Sequence, residues 1–208
     1  MARPPTRHLV VVAFGYVLGA AFYARLPADV PPWGLGRGWL AFLLPTAAAL
    51  VSALLRFVCS RDPLDPDDAA RVLSTVDAIV FRVVLCLTGV HATVLLGLSG
   101  LLWGRAWVAR IVPALVGTTL IAVGNVFPRT RPNRSIGVRT TSTLSNRRVW
   151  MRTQRAAGYL LVALGLVILV GAIAVPAPIG PKMGRLVEPA ALFGIPALWF
   201  YSRRAARA

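Results

Sequence analysis

The side chains that carry out chemistry in enzymes are few in this sequence and stand apart from one another. The two histidines, His8 and His91, are isolated, and Cys59 and Cys86 have neither disulfide nor metal-ligand spacing. A satisfied core histidine is the favoured interpretation of His91, with a proton relay as the alternative, because ionisable groups inside membranes are often functional. Phosphate-loop, zinc and nucleophile motifs are missing from the sequence. The sequence therefore predicts no catalytic residue, no metal site, no cofactor and no enzymatic activity.

One acidic cluster could hold a cation or begin a helix; its members are Asp62, Asp65, Asp67 and Asp68. A calcium loop of the EF-hand type would need a central glycine and a terminal glutamate, and both are missing. The order Asp65-Pro66-Asp67-Asp68 favours a helix start, because aspartate caps free N–H groups and proline suits the first turn. We also expect these aspartates to pair with loop arginines, for example Asp68 with Arg147, at about 0–1 kcal/mol for each exposed pair.

The composition is that of a membrane protein. The 208 residues are 57% hydrophobic and 14% charged, with a mean hydropathy of +0.68, whereas soluble domains carry about 25% charged residues. The net charge is +16. Such an excess is also found in nucleic-acid-binding proteins, but here the basic residues lie between apolar runs, as they do in membrane loops. We therefore expect a lipid bilayer as the environment and no direct nucleic-acid binding.

The apolar runs predict an all-α bundle of six membrane-spanning helices, since a span needs about 20 mostly apolar residues. The predicted spans are Leu9–Ala24, Leu40–Val58, Ala78–Trp103, Trp107–Phe127, Gly158–Val175 and Leu186–Tyr201. The first is interpreted as an uncleaved span, because no clear Ala-x-Ala cleavage site follows it. This pattern divides the chain into an N-terminal hairpin (1–58), an acidic loop (59–77) and a four-helix region (78–208).

The distribution of arginine predicts the orientation of the bundle. With both termini in the cytoplasm, most of the 23 basic residues lie on the inner face, and the outer face holds only Arg25, Arg37, Arg105, Arg110, Lys182 and Arg185. Positive charge resists translocation, so this is the favoured topology. We expect the segment between the fourth and fifth spans, residues 124–158, to face the cytoplasm; it is called the signature loop below.

Several residues of the signature loop predict where its helices end, turn and begin. Pro128 is expected to end the fourth helix, and Pro132 to keep the chain extended, because proline disfavours helix in the residue before it. Gly137 permits a tight backbone path, and Ser145 is the predicted N-cap of the following helix. Asn125 is expected to bond a neighbouring helix or the loop, since an unpaired amide at the membrane boundary is costly.

Arginines of the signature loop form a face that suits a membrane surface. Arg148, Arg152 and Arg155 follow at i, i+4 and i+7 and therefore share one side of a helix. With Arg147 they are candidate contacts for anionic lipids at the inner face, or for a protein partner. Trp150 suits the headgroup level.

The signature loop resembles that of the SdpI-type bacterial immunity membrane proteins. The matching positions, within a resemblance covering about Leu87–Val170, are Gly124, Asn125, Pro128, Pro132, Asn133, Gly137, Arg139, Thr140, Thr143, Leu144, Ser145, Val149, Trp150, Thr153 and Gly158. Two departures stand out. Thr141-Ser142 replaces a Pro-Trp pair of the family, and Gln154 replaces a histidine. A degenerate copy of a second family motif, without its histidine, runs from Leu26-Pro27 to Trp33-Gly34.

The resemblance implies a multi-pass protein of the bacterial plasma membrane that protects the cell from a secreted peptide toxin. It also implies that such a protein can hold an ArsR-type repressor at the membrane. The motif residues are carried over as candidate site residues without an assigned role. The alternative is a small membrane transporter or a lipid- or ligand-binding membrane protein, which would need polar residues converging at mid-membrane.

Overall fold

The computed structural model describes residues 7–28, 36–61, 66–101, 105–133, 136–174, 194 and 196–205, and all regular structure in them is helical. The α-helices are α1 Arg7–Phe22, α2 Arg37–Ser60, α3 Pro66–Leu98, α4 Arg105–Val126, the short α5 Thr141–Ser145, and α6 Arg147–Ala174. Single 3-10 turns follow α1 at Tyr23–Arg25 and α4 at Phe127–Arg129. Residues 196–205 are also helical and are called the C-terminal helical segment.

The chain is a multi-pass membrane protein. Among the described residues, five helices (α1, α2, α3, α4 and α6) are long and apolar enough to cross a bilayer. The sixth predicted span, Leu186–Tyr201, lies mostly outside the described residues, so the count of six stays a prediction. The same holds for the outer loop motif between Pro31 and Gly34.

Two helices begin earlier than the apolar runs predict. α3 begins at Pro66 rather than Ala78, and α6 begins at Arg147 rather than Gly158. Hydropathy finds only the part of a helix that lies in hydrocarbon, whereas the helix itself continues through polar residues until its cap. The helix start predicted at Asp65–Asp68 agrees with the first residue of α3, and the connection from α2 is therefore shorter than the predicted 59–77.

At the end of the bundle away from the signature loop, hydrogen bonds cap the last carbonyl groups of α3 and α6. α3 ends in a Schellman motif: Gly100 has φ +77° and the Leu101 N–H donates to the Leu96 carbonyl. At the end of α6, the guanidinium of Arg110 donates to the carbonyls of Ala172 (3.3 Å) and Ile173 (2.9 Å). A cation here meets the negative end of the α6 dipole.

The helices pack in chain order around α3. α1, α2 and α3 contact one another, α4 packs on α3, and α6 packs along α4. The face of α3 towards the first two helices repeats valine at every fourth position from Val72 to Val84. That spacing places the valines on one side of the helix.

One end of the bundle, called the loop end below, gathers the polar contacts. The signature loop leaves α4 and enters α6 there, and Arg7 at the start of α1 pairs with Asp77 of α3. The Ser202 hydroxyl of the C-terminal helical segment lies 3.1 Å from the Thr140 hydroxyl in the signature loop. The start of α1 and the C-terminal helical segment therefore lie at the same end as the signature loop. That this end faces the cytoplasm stays a prediction.

Candidate functional site

The base of the site is a close crossing of α4 and α6 on paired glycines. A Cβ atom on Gly124 would lie 2.7 Å from the Gly158 carbonyl oxygen, and one on Gly158 would lie 2.7 Å from the Gly124 oxygen. Gly117 and Gly165 repeat the arrangement one heptad away, at 2.7 Å and 2.6 Å. Small residues let helix backbones approach closely in membranes, where dispersion and weak C–H···O contacts replace the hydrophobic effect. This crossing fixes both stems of the signature loop.

The ring of Pro128 extends the crossing into the signature loop. Its Cδ would lie 3.0 Å from a Cβ on Gly158, so the loop's first turn rests directly on α6. Pro128 stands at the start of the 3-10 turn rather than after a clean helix end. The predicted end of the fourth helix is confirmed to within one residue, since α4 ends at Val126.

Two side chains of α6 hold the signature loop against the helix from inside. Trp150 is fully buried, and its indole Nε1–H donates to the Thr130 carbonyl at 2.9 Å. Gln154 is also fully buried; its Oε1 accepts from the Val138 N–H and its Nε2 donates to the Val138 carbonyl, both at 3.1 Å. The planar side-chain amide of Gln154 thus bonds to both the N–H and the C=O of Val138, which is the pattern that the backbone of a neighbouring β-strand would make.

The Gln154 pairing explains how this chain does without the histidine of the family motif. A neutral imidazole has one donor and one acceptor that point in diverging directions. It is poorly shaped to serve the N–H and the C=O of a single residue together. Glutamine at this position is therefore a structural element of this loop.

Asn133 and Gly137 bend the signature loop into the space above those two side chains. The Asn133 amide donates to the Arg131 carbonyl (2.6 Å) and accepts from the Ile136 N–H (2.7 Å). Gly137 has φ +121°, which side-chain-bearing residues rarely adopt. A Cβ there would lie 3.0 Å from both the Gln154 amide and the Trp150 ring. The tight path predicted for Gly137 is confirmed.

Thr140 and Thr143 build the short helix α5. The Thr140 hydroxyl accepts from the Thr143 N–H, and the Thr143 hydroxyl accepts from the Thr140 N–H at 2.8 Å, which forms a capping box. Thr143 is fully buried, and its hydroxyl donates to the Val138 carbonyl oxygen at 3.0 Å. The first turn of α5 contains Thr141-Ser142. The helix therefore forms and is capped although these residues differ from the Pro-Trp pair of the resemblance.

Two expectations for the signature loop, the Ser145 cap and the Asn125 bond, are wrong in detail. Ser145 is the last residue of α5, and the N-cap of α6 is Asn146, whose Oδ1 accepts from the Arg148 N–H (2.9 Å) and the Val149 N–H (3.3 Å). Trp150 is completely covered by the loop, and its level in the bilayer stays a prediction. Asn125 projects from α4 as an exposed side chain.

The pairing predicted across the loop end is confirmed for Asp68. Its carboxylate lies 3.7 Å from the Arg147 guanidinium and 3.9 Å from that of Arg131. Asp62 and Asp65 lie outside the described residues, as does the side chain of Asp67. Asp68 is only partly exposed. Its two contacts link the start of α3 to the signature loop at Arg131 and to the start of α6 at Arg147.

The remaining motif and candidate contact residues divide into buried and exposed groups. Thr153 is fully buried, and its hydroxyl has no hydrogen-bond partner within the described part of the chain. The exposed side chains are Arg139, Leu144, Arg148, Arg152 and Arg155. The motif therefore folds the loop with most of its residues and leaves a mainly basic outer surface.

A second polar region at the loop end joins α1, α2 and α3, and sequence reasoning missed it. The charged cluster, as it is called below, consists of Arg7, His8, Arg56 and Asp77. Arg7 pairs with Asp77, and the buried His8 lies between Asp77 Oδ1 (3.6 Å from Nδ1) and an Arg56 guanidinium nitrogen (2.9 Å from Nε2). At 3.6 Å the contact between His8 and Asp77 is too long for a hydrogen bond.

The Arg56 contact fixes the protonation of His8 in this arrangement. Guanidinium can only donate, so His8 Nε2 must accept. The imidazole is then neutral, with its proton on Nδ1 towards Asp77. The sequence could have suggested the cluster only through Asp77, an acid inside an otherwise apolar run.

His91 is buried in the last third of α3, where its ring lies near the Gly15 backbone of α1. Neither ring nitrogen has a hydrogen-bond partner within the described residues, and the same is true of the hydroxyl of Thr88, one turn earlier. The favoured interpretation of His91 as a satisfied core histidine stays a prediction. In the described residues, no group of three or more His, Cys, Asp or Glu side chains is placed to hold a metal ion, and neither Cys59 nor Cys86 forms a disulfide there.

Comparison with known proteins identifies the part of the chain that contains this site. The model of the SdpI/YfhL protein family matches residues 129–201. No curated protein and no solved structure matches the chain. The match begins after Gly124, Asn125 and Pro128 and continues past α6 into the C-terminal helical segment, so it lies further along the chain than the predicted Leu87–Val170. Residues 129–201, with the buried Trp150–Gln154 support of the signature loop at their centre, form an SdpI/YfhL family domain.

Proposed function

We propose that this protein is an immunity protein of the bacterial plasma membrane, which protects the cell that makes it from a secreted peptide toxin by binding. The observation that carries the proposal is the SdpI/YfhL family domain folded around the signature loop. The best-known SdpI-type proteins act in this way, and the proposal extends that activity to this chain.

The geometry of the signature loop supports binding over catalysis. Its buried groups, Trp150, Gln154 and Thr143, are neutral and bond to backbone atoms of the loop itself. Such bonds hold a shape; they do not activate a nucleophile or move a proton. A rigid loop loses little conformational entropy when a partner docks, which favours recognition.

We propose in addition that the outer surface of the signature loop holds a repressor of the ArsR type at the membrane. Leu144 and Met151 are apolar yet 45% and 42% exposed. They lie on either side of Asn146, the N-cap of α6. A protein partner at the loop end would cover both side chains at once. Removal of one large apolar contact is expected to weaken such binding more than removal of a rim charge.

The experiment that tests immunity is protection of a sensitive bacterial strain by the full-length chain. Cells that express it are exposed to a strain that secretes a membrane-active peptide toxin, and survival is counted. We expect protection by the wild type, less protection by Trp150→Phe, which loses the bond to the Thr130 carbonyl, and full protection by the exposed control Arg71→Gln in α3, outside the signature loop. Immunoblotting of membranes controls for protein level. Equal killing with and without the wild-type protein in the membrane would exclude immunity to that toxin class.

A transport function is the second candidate, and the buried, ionisable His91 beside Thr88 favours it. Ionisable side chains in membrane interiors often line a substrate or proton path. Flux of a proton or a small polar solute into proteoliposomes, abolished by His91→Leu, would support transport. An immunity protein without transport would instead keep protecting cells after the same substitution.

A further inference from the structure

One stripe of α6 is exposed along the whole length of the helix. It contains Arg148, Arg152, Arg155, Tyr159, Leu166 and Val170, all of which are exposed. Their spacings of three, four and seven residues keep them on one side of an α-helix. No described part of the chain covers this side, so the stripe faces the surroundings of the bundle.

The stripe changes character where the helix leaves hydrocarbon. α6 has 28 residues, about 42 Å at 1.5 Å per residue, whereas the hydrocarbon core is about 30 Å thick and takes about 20 residues. Counting about 20 residues back from Ala174 reaches Arg155. The apolar part of the stripe therefore faces lipid tails, Tyr159 lies near the boundary where aromatic residues concentrate, and the three arginines lie at headgroup depth.

The arginines of the stripe contact no acidic side chain among the residues that the structure describes. The first turn of α6 contains no acidic residue, and Asp68 contacts Arg147, which is not part of the stripe. Basic residues at a helix N-terminus oppose the helix dipole, whereas an anion placed there is favoured. An anionic group at this position would satisfy both the guanidinium side chains and the helix end.

We propose that Arg148, Arg152 and Arg155 form a binding site for the phosphate headgroups of anionic phospholipids in the leaflet at the loop end. The occupant is a lipid because the site continues directly into a lipid-facing stripe of the same helix. Acyl chains lie along Leu166 and Val170 while guanidinium groups bind the phosphate through paired N–H donors. The site anchors the first turns of α6, and with them the signature loop, to the membrane surface. This proposal does not depend on immunity.

The test is a lipid titration of the purified full-length protein in neutral detergent, with bound lipids counted by native mass spectrometry. The probe is phosphatidylglycerol, and phosphatidylcholine is the neutral comparison. We expect each Arg→Gln change in the stripe to weaken phosphatidylglycerol binding about fivefold, and the triple variant about 100-fold, from the usual strength of one basic residue at an anionic surface. Phosphatidylcholine binding should not change.

A matched control removes three other exposed arginines, in the variant Arg71→Gln, Arg129→Gln and Arg204→Gln. It carries the same net charge as the stripe variant, so we expect less than a fivefold change. Circular dichroism checks folding, and the single change Arg152→Gln serves if the triple variant unfolds. Equal losses in both triple variants, or no loss in the stripe variant, would overturn the proposal. Complete displacement of the lipid by millimolar inorganic phosphate would also overturn it, because the site would then bind free phosphate and not a lipid.

Discussion

The two polar regions at the loop end are built on different physics. The signature loop is held by neutral groups: an indole, an amide and hydroxyls bond to backbone atoms at 2.8 to 3.1 Å. The charged cluster of α1, α2 and α3 is held by ionic groups, Arg7, Arg56 and Asp77, around the neutral His8. Both regions tie several segments together, but only the first lies in the SdpI/YfhL family domain.

The difference shows how each region contributes to the protein. Neutral bonds between buried groups are directional and insensitive to salt, so they specify one loop shape. Ion pairs near the membrane surface are less directional and are screened by salt, so they hold helices together without fixing a fine geometry. A domain that recognises a partner needs the first kind of support, whereas helix assembly tolerates the second.

The largest effect is expected from breaking the helix crossing on which the signature loop stands. Gly158→Val places a branched side chain 2.7 Å from the Gly124 carbonyl oxygen, where neither backbone can yield without separating the helices. Overpacking of this kind costs about 3 kcal/mol or more. We expect a matching loss in the free energy of unfolding, measured by denaturant titration of the full-length protein in detergent.

The control for this prediction is Gly38→Ala in the N-terminal half. A Cβ on Gly38 meets nothing within 4 Å, and alanine is favoured over glycine in helices by up to about 1 kcal/mol. We expect unchanged or slightly higher stability. Similar destabilisation by both substitutions would show that close packing at Gly158 is not the cause.

A smaller effect is expected from removing the amide that supports the signature loop. Gln154→Leu keeps the volume of the side chain but leaves the Val138 N–H without a partner and the Val138 C=O with the Thr143 hydroxyl alone. Unpaired buried polar groups cost about 1–3 kcal/mol, so we expect a loss near 2 kcal/mol in stability. Hydrogen exchange should become faster at the Val138 amide and stay unchanged in α1. Gln154→His, which restores the residue type of the family motif, should recover part of the loss.

The contrast between the two regions also explains what the sequence could predict. The signature loop is contiguous, so its residue types at fixed offsets could be compared with a known family, and the matching family domain confirms that interpretation. The charged cluster joins Arg7 and Asp77, which are seventy positions apart in the chain. Arg7 and His8 are neighbours in the sequence, but Arg56 and Asp77 each stand apart from them, and only the packing of three helices brings the four residues together.

Details inside the signature loop were harder to predict for a related reason. Trp150 suits a membrane interface by residue type, yet the loop folds over it because its indole N–H finds the Thr130 carbonyl. Ser145 and Asn146 are both good cap residues, and the choice between them depends on where α5 ends. The glycine pairs of α4 and α6 share a seven-residue spacing that is visible in the sequence, but their pairing needs the antiparallel arrangement of the helices.

The smallest effect tests the ionic character of the charged cluster. Asp77→Asn keeps an acceptor near His8 Nδ1 but removes the charge that pairs with Arg7. Because Arg7 is half exposed, we expect a loss of only about 1 kcal/mol, at the upper end for surface ion pairs. The distinguishing measurement is the salt dependence of unfolding. The screening length falls from about 30 Å at 0.01 M salt to about 3 Å at 1 M, so the wild type should lose stability with salt more steeply than Asp77→Asn. Gln154→Leu should keep the wild-type slope, because its lost bonds are neutral. An unchanged slope in Asp77→Asn would mean that the cluster holds its helices by packing and hydrogen bonds, as the signature loop does, and the contrast between the two regions would disappear.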